Sequence, residues 1–214
     1  MPKQKPVQTD WNTYYKSPSK IAIFARSLIA KRFVKLIKKH YILDSGSSIA
    51  ELGGANSLYF DFINNNFAFG KFTVIDNNET GLEIFRNRLK GDNRIEFKNI
   101  DILNYFSEFQ LDFVYSIGLI EHFSKEDTAK AIKTHFEMAK PGGIVIIAYP
   151  TPTFLYRITR WLEEITGTWE FHDERPLKYE EVNAIASKFG KIKARTIVWP
   201  IFLTQELLVF IKEL

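Results

Sequence analysis

Ser48-Ile49-Ala50-Glu51-Leu52-Gly53-Gly54-Ala55-Asn56-Ser57 is the stretch on which the fold turns. Its first half is an apolar run of the length of a buried strand. Its second half has almost no side-chain bulk: Gly53, Gly54 and Ala55 stand where the strand turns toward the amphipathic segment Leu58–Asn66. Small residues let the backbone come close to a ligand, and the N-terminus of a following helix presents free N–H groups. Glu51 sets a carboxylate just before the glycines, able to attract a cationic ligand or accept hydrogen bonds from the loop. A tight strand-to-helix turn with no ligand accounts for Gly53-Gly54-Ala55 taken alone equally well. The dinucleotide fingerprint G-x-G-x-x-G is not present.

The same unit recurs downstream. Phe72–Ile75 is a strand-like run ending in Asp76, and a helix follows from Glu79 to Leu89. Ile95–Phe97 is a third strand, followed by Asp101; Leu111–Tyr115 is a fourth; a helix from Lys125 to Ala139 leads to Lys140-Pro141-Gly142-Gly143 and a fifth strand, Ile144–Ala148. Pro141-Gly142 fits a type II turn, because proline presets φ and glycine accepts a positive one. Strands alternating with helices predict βαβ units and a mainly parallel sheet covered on both faces. Beyond Pro150 the rhythm breaks. Residues 151–177 carry Phe154, Tyr156, Trp161 and Trp169 and are too long for a simple connection, so they read as an inserted cap. A helix from Tyr179 to Phe189 restores the pattern. Lys191–Trp199 and Gln205–Lys212, joined by Pro200–Thr204, read as an antiparallel strand pair, although the second also fits a helix on periodicity. The organisation is a lead-in and helix over 1–44, a core over 45–150, a cap over 151–180 and a closing helix and strand pair over 181–214.

Composition sets outer bounds. The 214 residues are 45% hydrophobic and 25% charged, enough for a substantial core in one domain. There is no cysteine, which excludes disulfides, thiolate metal sites and cysteine nucleophiles and fits a reducing cytoplasm. The net charge of +4 is mild. The densest basic stretch, Lys31–His40 (KRFVKLIKKH), alternates with Phe33, Val34, Leu36 and Ile37 at helical spacing, as an amphipathic helix with a solvated basic face does. Contact of that face with anionic lipid or RNA stays open as the alternative. Residues 1–18 are polar and proline-bearing and read as a mobile lead-in without the apolar core of a signal peptide. No apolar run approaches the ~20 residues of a spanning helix.

The ordered signals resemble class I S-adenosylmethionine-dependent methyltransferases. Glu51, Gly53 and Ala55 match the family's first motif, E/D-x-G-x-G-x-G, with Ser57 where the third glycine usually falls. Asp76 and Asp101 match the acids after strands two and three. Leu111–Ser116, Ile117–Phe123 (IGLIEHF) and Lys140–Gly143 resemble later motifs, so the likeness spans residues 45–150. It implies a Rossmann-like three-layer α/β sandwich with a mainly parallel, seven-stranded sheet, an antiparallel last strand, an N-terminal helical extension and a small cap after strand five. It also implies an S-adenosylmethionine site made of Glu51, Leu52, Gly53, Gly54, Ala55, Asn56, Asp76, Asn77, Asp101, Ile102, Ser116 and Ile117, with S-adenosylhomocysteine as product. Tyr14 and Tyr15, with Trp11, belong either to a segment closing over the cofactor or to a hydrophobic latch.

Methyl transfer from a sulfonium needs in-line positioning above all, and a base only where the acceptor must first lose a proton. His122, just after the fourth strand, and His172, inside the cap, are the candidate catalytic residues; His40 and His135 belong to helices. No metal site is expected. Ser116 stands where metal-dependent catechol-type relatives carry an Asp, and no His/Asp group has ligand spacing. The expected partner is a small-molecule acceptor methylated on O or N, such as a metabolite, sugar or lipid precursor, with no nucleic acid. An RNA or protein methyltransferase and a non-catalytic or NAD-type nucleotide-binding protein remain the alternatives.

Overall fold

The structure, a computed structural model, describes residues 8–16, 20–89, 91–105, 110–199 and 204–213. In chain order the elements are α1 (Trp11–Lys16), α2 (Lys20–His40), β1 (Ser48–Leu52), α3 (Tyr59–Asn64), β2 (Lys71–Asp76), α4 (Glu79–Arg88), β3 (Ile95–Asn99), β4 (Leu111–Ile117), α5 (Lys125–Met138), β5 (Ala139–Pro150), α6 (Phe154–Thr166), α7 (Tyr179–Ala186), β6 (Gly190–Val198) and β7 (Gln205–Lys212), with short 3₁₀ turns at Ile102–Asn104 and Ile120–His122. The sheet order is β3-β2-β1-β4-β5-β7-β6. The first five strands pair in parallel, and β7 runs antiparallel to both β5 and β6.

Alternation along each strand produces three layers. Ile49, Phe72, Val74, Phe113, Tyr115, Ile144 and Ile146 pack with α2, α3 and α4, whereas Ala50, Ile75, Val114, Val145 and Ile147 pack with α5 and α7. Gln205–Lys212 is a strand because it too is buried on both faces, Leu207 and Val209 on one, Leu208 and Phe210 on the other. In α2, Ile29, Ala30, Phe33, Leu36 and Ile37 enter the core while Lys31, Lys35, Lys38 and Lys39 are exposed. Helix α6 behaves differently. Phe154, Ile158, Trp161, Leu162 and Ile165 form an apolar stripe that faces outward, and Tyr156 on the opposite side is its buried anchor.

The lead-in differs from expectation, because it is helical from Trp11 to Lys16. Asp10 accepts from the Thr13 amide (3.1 Å) and the Thr13 hydroxyl (2.7 Å), a side-chain cap. Trp11, Tyr14 and Tyr15 then pack on one another. The helix start expected at Ser17-Pro18-Ser19, residues 1–7, and all of Pro200–Thr204 but Thr204 lie outside the described residues. No described helix is long and apolar enough to cross a membrane.

The strand order reverses between β1 and β4, each of which leads to a helix on an opposite face. Ligands in open α/β sheets bind at such a switch point, beyond the carboxyl ends of the strands.

Candidate active site

The glycine turn closes the carboxyl end of β1. Gly53 has φ of +71°, a conformation that disfavours any side chain, and its amide donates to the Ile75 carbonyl at 2.8 Å. A Cβ on Gly54 would lie 2.5 Å from the Glu51 side chain, because Glu51 folds back beneath the turn. There its carboxyl accepts from Ser57 Oγ and Tyr115 OH, both at 2.8 Å. Burial pushes Glu51 up to about 8, against the downward pull of those two donors. Ser57, the departure from the glycine pattern, therefore has a structural task. Its hydroxyl also accepts from the amides of Tyr59 (3.0 Å) and Phe60 (3.2 Å) at the start of α3.

Asp76 ends β2 facing the same turn. Its Oδ2 accepts from the Ala55 amide (3.0 Å) and its Oδ1 from the Asn78 amide (2.8 Å). Burial raises its pKa even so. Asp101 caps the turn Ile102–Asn104, accepting from the Leu103 amide at 2.9 Å, and borders the cleft together with Ile102. Capping and ligand-facing are thus not exclusive here.

Two adjoining cavities share Trp11, Tyr15, Gly53, Gly118 and His122. The larger, about 310 Å³, is bordered by Asp76, Asn77, Asp101, Ile102, Leu119 and Phe123. The smaller, about 130 Å³, is bordered by Tyr14, Glu51, Gly54, Ala55, Asn56 and Ile117 on one side and by Glu121, Phe171 and Glu174 on another. The glycine turn and both aspartates thus converge on one cleft. Helix α1 crosses it. Trp11 packs edge-on to His122 with ring centroids 4.8 Å apart, Tyr14 packs on Phe171, and Asn56 Nδ2 donates to the Tyr15 carbonyl at 3.1 Å.

Where the two cavities meet at His122 lies a knot of titratable groups. His122 Nδ1 lies 3.0 Å from Asp173 Oδ1, which also accepts from the Thr9 hydroxyl. Burial works to lower the His122 pKa, but the hydrogen bond to Asp173 and the nearby carboxylates outweigh it and raise it. Asp173 is held down to about 2; burial opposes this, and the bonds from His122 and Thr9 prevail. Glu121 is buried and pushed up to about 8 by that burial; Glu174 is also raised by burial, although Tyr156 OH donates to it.

Three residues named from the sequence border neither cavity. Leu52 is wholly buried in the core beneath the turn. Ser116 points to the α5 side and meets His135 Nε2 at 2.8 Å. His172 is exposed, while its neighbours Phe171, Asp173 and Glu174 turn inward. Sequence reasoning assigned no role to Glu121, Asp173 or Glu174. The Glu-His pair of IGLIEHF was the available signal for the first; the other two come from a loop with no periodicity to orient it.

Residues 49–143 match a family model described as a methyltransferase domain. No curated protein sequence matches the chain. Among solved structures, the N-methyltransferase NodS from Bradyrhizobium japonicum, in complex with S-adenosyl-L-homocysteine, is 15% identical with a TM-score of 0.68, covering 94% of this chain and 92% of its own. Magnesium protoporphyrin IX methyltransferase from Synechocystis, also with the bound product, is 15% identical with a TM-score of 0.71, over 95% and 93%. A cyclopropane synthase from Mycobacterium tuberculosis is 12% identical with a TM-score of 0.67, over 85% and 83%. These likenesses extend the shared fold well beyond the matched domain, to nearly the whole chain.

Proposed function

We propose that this protein moves a methyl group from S-adenosylmethionine to O or N of a small molecule, a reading supported by the methyltransferase-domain match over residues 49–143 and by the fold that nearly the whole chain shares with methyltransferases. The observation that carries the reading is the convergence of the glycine turn, Asp76 and Asp101 on one cleft at the switch point. The residues suit the cofactor. The Gly53-Gly54 cradle leaves no space for a Cβ. Asp76 keeps lone pairs beyond those used by Ala55 and Asn78 and can take two ribose hydroxyls. Asp101 suits the adenine amino group, with Ile102 beside the ring. Glu51 and Asn56 lie toward the end where the aminoacyl part belongs.

When bound, the cofactor supplies an activated methyl on a sulfonium. The chain's own contribution is to position and to exclude water. Gly53, shared by both cavities, puts the junction between them beside the turn. Tyr14, Tyr15 and Trp11 cover that junction and present aromatic faces suited to a cationic sulfonium. The acceptor then approaches from the side of the smaller cavity bordered by His122, Glu121, Phe171 and Glu174, which makes residues 151–180 the substrate cap. His122 is the side chain set to meet the acceptor, its ring oriented by Asp173. The cover of α1 over the cleft favours a small molecule over a polymer.

Calorimetry with S-adenosylhomocysteine tests the reading. One equivalent should bind, and Asp76→Ala should weaken binding by about ten- to a hundredfold, since a hydrogen bond to a charged group contributes about 1.5–3 kcal/mol. No binding at millimolar ligand to a folded protein would remove it.

A further inference from the structure

We propose that Glu121, His122 and Glu174 form a divalent-cation site at the acceptor end of the cleft, where the cation holds an oxygen of the methyl acceptor. One ligand atom from each of the three lies within 4.8 Å of the others. All three border the smaller cavity, beside Gly53 and Gly54. The site rests on the methyl-transfer reading for its purpose, although not for its geometry.

The orientation of His122 carries the argument. Its Nδ1 faces Asp173 Oδ1 at 3.0 Å, and that oxygen already accepts from the Thr9 hydroxyl. A carboxylate oxygen accepts and does not donate, so Nδ1 carries a hydrogen and Nε2 is the nitrogen that faces the two glutamates. Nε2 lies 3.9 Å from Glu121 Oε1, beyond hydrogen-bond length and within reach of a shared cation. A carboxylate that fixes the tautomer from behind while the other nitrogen faces outward is the recurrent support of a metal-binding histidine. The second observation is independent of the cluster. Glu121 is 1% exposed, and its Oε2 has no hydrogen-bond partner among the described residues. Leaving a buried carboxylate oxygen unpaired is costly, and a cation between Glu121 and Glu174 satisfies it. Glu174 is held for this position by Tyr156 OH and by Arg160, 3.8 Å away.

One imidazole nitrogen and two carboxylate oxygens suit Zn²⁺ or Mn²⁺. Three protein ligands leave a coordination position open toward the cavity. An acceptor oxygen, from a hydroxyl or a carboxylate, would complete the set. Linear spacing gives no sign of this site, because Glu174 lies in the cap, remote in sequence from the Glu-His pair.

The chelator-treated protein is titrated with ZnCl₂ and with MnCl₂ by calorimetry, and Mn²⁺ binding is followed by electron paramagnetic resonance. One tight equivalent is expected. Glu121→Gln and Glu174→Gln should each weaken it by more than a hundredfold, and Asp173→Asn, acting through the histidine, by about ten- to a hundredfold. S-adenosylhomocysteine binding is measured on the same samples. If it persists while neither metal binds, or if metal binds wild type and both glutamine variants equally, the cation site is overturned and the methyltransferase reading stands. Loss of S-adenosylhomocysteine binding in wild type would instead overturn the latter.

Discussion

His135 shows how a single residue is understood from its partners as well as from its position. It lies within α5 and is wholly buried, with Nδ1 at 2.7 Å from the Ala131 carbonyl and Nε2 at 2.8 Å from Ser116 Oγ. The carbonyl only accepts, so Nδ1 carries the hydrogen and Ser116 donates to Nε2. Burial depresses its pKa to about 4. A histidine depressed in the folded state costs nothing above its unfolded value of about 6.5, where both states are neutral. As pH falls from there toward 4 the unfolded chain takes up a proton that the folded chain refuses, and about 3 kcal/mol of stability is lost across that window. His135→Gln should lose some stability at pH 7 but flatten the decline between pH 6.5 and 4, as read from urea midpoints of both proteins over that range. Parallel pH profiles would mean that His135 titrates normally. The same pair explains why Ser116 misled the sequence reading. Alternation puts Tyr115 and Ile117 on the α2 side of β4, where Ile117 reaches the cleft, and Ser116 on the other. Counting by two along β4 would have shown it.

At the scale of elements, the strands and their order of acids were legible because each carries a local signal: an apolar run, then a small or acidic residue at its carboxyl end. The turn after β1 was legible in shape but not in wiring. Ser57 looked like a lost glycine, yet its hydroxyl bonds Glu51 and two amides at the start of α3. Helix α3 has only six residues and its own N-cap, Leu58, offers no side-chain acceptor. Short helices depend on such ends. Ser57→Gly, which brings the loop closer to the common glycine pattern, should therefore destabilise the protein by about 1–2 kcal/mol. Thermal melts of the apo protein check this, and an unchanged or raised Tm would contradict the wiring. The cap was legible only as an interruption. Its helix α6 has a clear apolar period, but period alone does not say which side faces the body, and here the larger stripe faces solvent.

For the molecule as a whole, the arrangement of α1 over the cleft raises a question of access. Six residues do not hold a helix in water, and α1 buries none of its own residues completely. What holds it is docking: Trp11 on His122, Tyr14 on Phe171, Thr9 to Asp173, and Asn78 Nδ2 donating to Asn12 Oδ1 at 2.9 Å. These partners come from the β4 loop, the cap and the start of α4, and Asn56 of the glycine turn bonds the Tyr15 carbonyl, so α1 joins four parts of the chain across both cavities. A ligand that enters or leaves on the α1 side displaces it, and a ligand in place adds contacts from below. Segments held by so few contacts open at small free-energy cost, and a bound ligand shifts that equilibrium by mass action. Amide exchange over residues 9–16 should therefore be fast in the free protein and slow by about tenfold or more with S-adenosylhomocysteine present at a hundred times its Kd, where the linkage is worth about 2.7 kcal/mol. Trp11→Ala removes the ring that packs on His122 and should abolish most of that protection while leaving exchange in β1 and β4 unchanged. Protection of β1 and β4 without any change over 9–16 would mean that the ligand passes beside α1 and that this helix is a fixed wall of the cleft.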